Sequence, residues 1–196
     1  MTPILLASAS PTRQRLLRAA GIAFTAEDPR LDEALIRASL TAEGASPRDI
    51  ADTLAEMKAA KLARRHPEAV VLGADQTLDL DGETLGKPSD ASETRAQLLH
   101  LRGRRHRLHS AVVLHHQGTA QWRHVDTATL TMRPLSETWI DAYLARNPDL
   151  TGTVGGYLLE AEGLRLFDRI DGNHFTILGL PLHPLLLYLE QRGFIA

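Results

Sequence analysis

Three observations make this an α/β protein. Short apolar runs alternate with longer amphipathic stretches along the chain, two serine-proline pairs announce helices, and the apolar run Ala69 to Ala74 is bounded by Pro67 and Asp75 as a buried strand is. No internal repeat, low-complexity tract or convincing linker interrupts this rhythm, so one domain over residues 1–196 is expected.

Pro3 to Ala7 reads as a short strand. Ser10 then caps a helix with Pro11 at its first position, and Gly21 stops it after about Ala20. A second helix opens in the same way at Ser46 and Pro47, carries Asp49 in its first turn, and runs through Ile50, Leu54 and Met57 until His66-Pro67. Ala69 to Ala74 is a strand, and Leu78 to Leu85 turns at Asp81-Gly82 as a hairpin. Ser92 to Leu101 forms a third helix, Leu108 to Leu114 and Val125 to Met132 are strands, and Ser136 to Arg146 is another capped helix. Tyr157 to Leu159, Leu164 to Ile170 and Phe175 to Leu180 look extended. Pro184 to Gln191 closes the chain as an apolar helix stopped by Gly193.

Composition removes several functions. The 196 residues include 22 Lys+Arg against 24 Asp+Glu, a formal net charge of -2, which argues against bulk nucleic-acid binding. With no cysteine there is no disulfide, thiol nucleophile or iron–sulfur cluster, so hydrolytic chemistry would use oxygen, nitrogen or a hard metal. No segment approaches the ~18 apolar residues of a membrane helix, and Met1 to Ala7 leads into charged sequence rather than a signal-peptide pattern, which predicts a cytoplasmic protein.

The first strand-to-helix turn is the first candidate site. A helix N-terminus presents free N–H groups to an anion, Ser8 and Ser10 add hydroxyls, and Arg13 in the first turn opposes the macrodipole unless an anion sits there too. The plainer reading is that Ser10 only caps while Arg13 and Arg15 are solvated. On the second helix Ile50, Leu54, Met57 and Lys61 share a stripe with Lys58 at its edge. These lysines either snorkel at the border or aim into a cleft, and spacing does not decide between the two. Asp75 ends a buried strand, where ligands gather in α/β sheets. With Asp32-Glu33 and Lys87 the inventory becomes carboxylates plus cations, a set suited to metal-assisted phosphate chemistry.

The histidines His106, His109, His115 and His116 are expected at solvent-facing or hairpin-tip positions, because no cysteine or paired helical spacing supports zinc. The Arg102 to Arg107 run is expected as a solvated turn at a cleft rim. Leu182 to Leu189 is too short to span a membrane, and is expected in the core or at a dimer contact.

Leu6-Ala7-Ser8-Ala9-Ser10-Pro11-Thr12-Arg13 with Leu16-Leu17, the pair Asp32-Glu33, Lys58, Gly73-Ala74-Asp75, Gly86-Lys87-Pro88, Gly103 to His106 and Gly179 to Leu182 occur in a fixed order. In that order and register the chain resembles the Maf family of nucleoside triphosphate pyrophosphatases over almost its whole length. The resemblance implies a Maf/ITPase-like fold, a curved mixed β-sheet flanked by helices, with two lobes around a deep nucleotide cleft. It also implies hydrolysis between the α- and β-phosphates with Mg²⁺ or Mn²⁺, in a house-cleaning role. Carried over by position, Ser8, Arg13, Lys58 and Lys87 would hold the triphosphate, Glu33 would bind metal, and Asp75 would activate water. Glu33 and Asp75 could exchange these tasks. A homodimer is a family-based expectation.

Departures from the family pattern bear on the base. Thr12 replaces the usual first arginine, leaving one phosphate contact missing or supplied by Arg15. Gln76 stands where the dTTP/UTP branch has threonine and Glu160 where it has glutamine, and both look like the branch acting on 7-methyl-GTP. A carboxylate suits that base, accepting from guanine N1–H and N2–H₂ and favouring the methylated ring's positive charge. Thr153-Val154-Gly155-Gly156-Tyr157 departs from the family's Lys-Ala-Gly-Ala-Tyr. The alternatives are a dTTP/UTP pyrophosphatase, or a non-catalytic nucleotide-binding regulator of cell division. Phosphomonoesterase action lacks a nucleophile motif.

Overall fold

The structure is a computed structural model and describes residues 2–196. Its strands are β1 (Ile4–Ala7), β2 (Thr25–Ala26), β3 (Val70–Leu80), β4 (Glu83–Leu85), β5 (Arg105–His116), β6 (Thr119–Met132) and β7 (Phe167–Asp171). The helices are α1 (Pro11–Ala19), α2 (Glu33–Ala42), α3 (Pro47–Ala63), α4 (Ala91–Leu101), α5 (Glu137–Arg146), α6 (His174–Ile177) and α7 (Leu182–Gln191), with tighter turns at Val154–Gly156 and Glu162–Leu166.

All seven strands form one mixed sheet in the order β2-β1-β3-β5-β6-β7, with β4 paired to β3. β1 runs parallel to β2 and β3, whereas β3, β5, β6 and β7 follow one another antiparallel. β3 is the central strand and its flank is divided: residues 70–73 pair with β1, and residues 78–80 pair with β4. Between these two partners lie Asp75 and Gln76, still paired with β5 through Ala111 and Ser110. The sheet therefore forks beside them, next to the point where β1 turns into α1, and the fork opens the cleft.

One core packs α1 and α7 on β1, β3 and β5, with Leu6, Leu17, Leu72 and Leu185 buried. A second gathers α4, α5 and the far halves of β3, β5 and β6 around Leu78, Leu98, Leu108 and Tyr143. On the opposite face from α1, α3 lies so close to β3 that a Cβ on Gly73 would fall 2.1 Å from the Ala55 carbonyl oxygen and 2.6 Å from Ala59 N. Only glycine permits that approach.

Several expectations are corrected. α2 appears where no helix was expected: Asp32 caps it by accepting from Leu35 N, but none of its residues is fully buried, so no apolar stripe announced it. β3 passes through Asp75 rather than ending there, because β5 pairs with it on both sides of that residue. Phe175 to Leu180 is not extended but holds α6, capped by Asn173, and Tyr157 to Leu159 is irregular. Leu164 to Leu166 belongs to a tight turn, so β7 begins only at Phe167.

On α3 the inward stripe is Ile50, Ala51, Leu54, Ala55, Lys58, Ala59 and Leu62, while Met57 is 37% exposed. The small alanines, rather than Met57, face the sheet because the helix packs against it closely. His106, His109 and His115 are buried, not solvent-facing, and each has a neighbouring partner: Tyr157 at Nε2 of His106, whose Nδ1 has none among the described residues, Asp79 with Thr127 at His109, and Glu56 at His115. The arginine run is not at the cleft rim; Arg104 pairs with Asp81 and Arg107 with Asp79 at the hairpin. Among the described residues no helix is long and apolar enough to cross a membrane.

Candidate active site

The cleft at the sheet's fork is lined by the start of α1, the first two turns of α2, Lys58 of α3, the middle of β3, Lys87 and the segments 152–160 and 177–179. Three carboxylates and four cations line it: Glu33, Asp75 and Glu160 with Arg13, Arg37, Lys58 and Lys87.

Lys58 is the hub. Its Nζ lies 2.7 Å from Asp75 Oδ1 and 2.8 Å from Glu33 Oε1, and only 6% of its side chain is exposed. The close crossing at Gly73 brings α3 near enough for this lysine to reach the strand. Asp75 Oδ2 is buried and accepts no hydrogen bond, an unfavourable state for a carboxylate oxygen unless another group completes it. Burial would raise the Glu33 carboxyl, but Lys58 first, then Lys87 and Arg13, hold it below the ordinary carboxylate range. Burial and the neighbouring Arg13 push Lys87 below the usual lysine value, partly offset by Glu33.

Arg13 is buried rather than solvated. Its Nε donates to Gly179 O at 2.8 Å and its Nη1 to Ala74 O at 2.9 Å and Ser8 Oγ at 3.2 Å. It thus ties the α1 turn, the forked stretch of β3 and the segment after α6 into one wall. Burial lowers its basicity, against the opposing pull of Asp75 and Glu33. Ser8 sits behind this guanidinium and accepts from it, whereas Ser10 and Thr12 line the cleft. Arg15 is not among the residues lining the cleft, and its Nη2 pairs with Glu160 Oε1 at 2.9 Å.

The other half of the cleft is apolar, formed by Leu108, Val154, Tyr157, Leu159 and Ile177, with Glu160 and Gln76 as its polar groups. Gln76 Nε2 donates to Ser110 Oγ, Thr176 O and Ile177 O at 2.9 to 3.0 Å. Two backbone carbonyls among these acceptors fix which end of the amide is nitrogen, so Oε1 remains as an acceptor near Gly179.

The structure thus gathers Arg13, Glu33, Lys58, Asp75, Gln76, Lys87 and Glu160 at one cleft and leaves Ser8 a step behind it. It adds Arg37, which sequence reasoning missed. The available signal was its i,i+4 spacing from Glu33, legible only once α2 is known to be a helix.

A family model described as Maf-like protein matches residues 3–192. The chain belongs to the Maf family. Among its Maf relatives, a protein of Caulobacter vibrioides named nucleoside triphosphate pyrophosphatase is 51% identical over 98% of this chain and 97% of that protein. One of Rhizobium meliloti, named 7-methyl-GTP pyrophosphatase, is 49% identical over 100% of this chain and 99% of its own. Among solved structures the chain is similar to a nucleoside-triphosphatase, a dITP/XTP pyrophosphatase, of Mycobacterium abscessus. That match has a TM-score of 0.45 and 15% identity, over 98% of this chain and 95% of that one.

Proposed function

We propose that this Maf-family chain hydrolyses nucleoside 5'-triphosphates to the monophosphate and pyrophosphate. The observation that carries this reading is the juxtaposition at Lys58, where two carboxylates share one lysine while Asp75 Oδ2 has no partner. Its relatives' names, nucleoside triphosphate pyrophosphatase and 7-methyl-GTP pyrophosphatase, support the same activity.

Lys58 holds Asp75 by one oxygen and leaves the other to take a proton from water attacking the α-phosphorus. As that bond forms, the bridge from the α-phosphorus to the β-phosphate breaks and its electron pair leaves on pyrophosphate. Arg13 and Lys87 present positive charge to the phosphate oxygens and orient the chain of phosphates across the fork. Ser8 keeps Arg13 in place.

A hard divalent cation, Mg²⁺ or Mn²⁺, fits the donor set. Glu33 commits Oε1 to Lys58, its second oxygen has no ion-pair partner among the described residues, and it lines the same cleft as Asp75. Among the described residues no three His, Cys, Asp or Glu side chains form a cage, so substrate phosphates and water would complete the shell. When bound, the cation neutralises phosphate charge and makes water more acidic.

The apolar half of the cleft takes the base. Glu160 accepts from ring N–H groups and favours a cationic ring, which supports 7-methyl-GTP among the substrates. The test is turnover of the common ribo- and deoxyribonucleoside triphosphates and 7-methyl-GTP with Mg²⁺ or Mn²⁺, with products separated chromatographically. Monophosphate plus pyrophosphate is expected. A nucleotide bound yet intact would favour the non-catalytic regulator instead.

A further inference from the structure

Beside the cleft lies a second depression, about 680 Å³, between α2 and the turn that follows β4. The two cavities share one wall made of Glu33, Arg37 and Lys87. Arg15, Arg95, Arg123 and Arg146 each pair with a carboxylate. Among the described residues the Arg37 side chain makes no hydrogen bond or ion pair, although it is half-buried. Glu33, one turn before it, is taken up by Lys58. Lys87 lies on the same wall, where burial, Arg13 and Lys58 hold it below its ordinary value. Glu33 is the carboxylate on that wall and Lys58 already holds its Oε1, so an anion seated there balances the remaining positive charge.

We propose that Arg37 joins Lys87 in holding the pyrophosphate half of the substrate. This rests on the hydrolytic reading above. Once the α–β bridge breaks, the leaving pyrophosphate carries most of the negative charge of the triphosphate. Both cations stand on the shared wall, and the rest of the depression is lined by small uncharged residues such as Ala34, Ala38, Thr84 and Gly86. The guanidinium fork of Arg37 can take two phosphate oxygens at once.

The experiment is product inhibition of triphosphate hydrolysis, with inorganic pyrophosphate and the nucleoside monophosphate as separate inhibitors, for the parent protein, Arg37→Gln and Arg37→Lys. Arg37→Gln should weaken pyrophosphate inhibition about tenfold while the monophosphate constant moves less than about twofold, and Arg37→Lys should recover part of the loss. Ala38→Glu, which places an anion in the depression but outside the cleft, should also weaken pyrophosphate inhibition. An unchanged pyrophosphate constant in both Arg37→Gln and Ala38→Glu overturns the subsite, as does an equal loss for both inhibitors. If the parent protein releases no pyrophosphate, the hydrolytic reading itself has failed, which the parent assay reveals before any variant is compared.

Discussion

Lys58 Nζ sits 2.7 Å from Asp75 Oδ1, while the other oxygen of that carboxylate is buried and accepts no hydrogen bond. One half of Asp75 is thereby fixed and the other is left for chemistry. Asp75→Asn keeps the shape but removes the proton acceptor. Turnover should fall by roughly 10²–10⁴ while nucleotide affinity changes little. Single-turnover rates and equilibrium binding check this, and a near-normal rate would remove Asp75 from the base role.

Lys58→Met removes the cation that does most to hold the Glu33 carboxyl down. With that counter-charge gone, the Glu33 carboxyl rises, so more of it is protonated at any given acidic pH. The acid limb of the kcat/KM profile should therefore move to higher pH, alongside a rate loss of roughly 10²-fold. A profile that keeps its acid limb in place would show that Glu33 ionisation does not govern the reaction.

Gly73→Ala tests the crossing that lets α3 reach β3. A methyl group 2.1 Å from the Ala55 carbonyl oxygen forces helix and strand apart. The expected cost is about 3 kcal/mol, read from urea unfolding. Activity should fall as well, because Lys58 moves with the helix.

His106 predicts the acid side of the stability curve. It is buried against Tyr157, and burial lowers it from 6.5 to about 4. Between those values the unfolded chain binds a proton that the folded chain does not, so stability rises with pH there. The contribution is complete above about pH 6.5 and is lost as pH falls to about 4, roughly 3 kcal/mol in all. Unfolding midpoints across this window should flatten in His106→Gln by one proton's worth of slope, and an unchanged slope would contradict the assignment.

Glu160 gives Oε1 to Arg15 and lines the cleft. Glu160→Gln should lower the ratio of kcat/KM for guanine-type over pyrimidine substrates by about tenfold. If the ratio stays constant across the nucleotide panel, Glu160 does not read the base.

Much of this site was legible because its residues sit in short motifs tied to backbone need. Gly73 must lack a side chain under α3, and Ser10-Pro11 must start a helix beside the β1 end. What was not legible depended on tertiary context. α2 has only a half-buried face, Glu33, Ile36, Arg37 and Leu40, in which two of four residues are charged, so apolar periodicity says little about it or about Arg37. The α3 stripe was misplaced toward Met57 because the inward residues are alanines, which carry little hydrophobic signal but allow the close packing. Nothing in local sequence says that Arg13 would spend its donors on Gly179, Ala74 and Ser8, since two of those partners come from distant elements. The buried histidines were misjudged for the same reason: their partners Tyr157, Asp79 and Glu56 lie on other elements.

The most direct test of the account is hydrolysis in ¹⁸O-water with Mg²⁺, followed by mass spectrometry of both products. Attack at the α-phosphorus by water activated at Asp75 places the label in the nucleoside monophosphate and leaves pyrophosphate unlabelled, and Asp75→Asn should suppress that labelled product. Label in the pyrophosphate, or release of nucleoside diphosphate and orthophosphate, would contradict it.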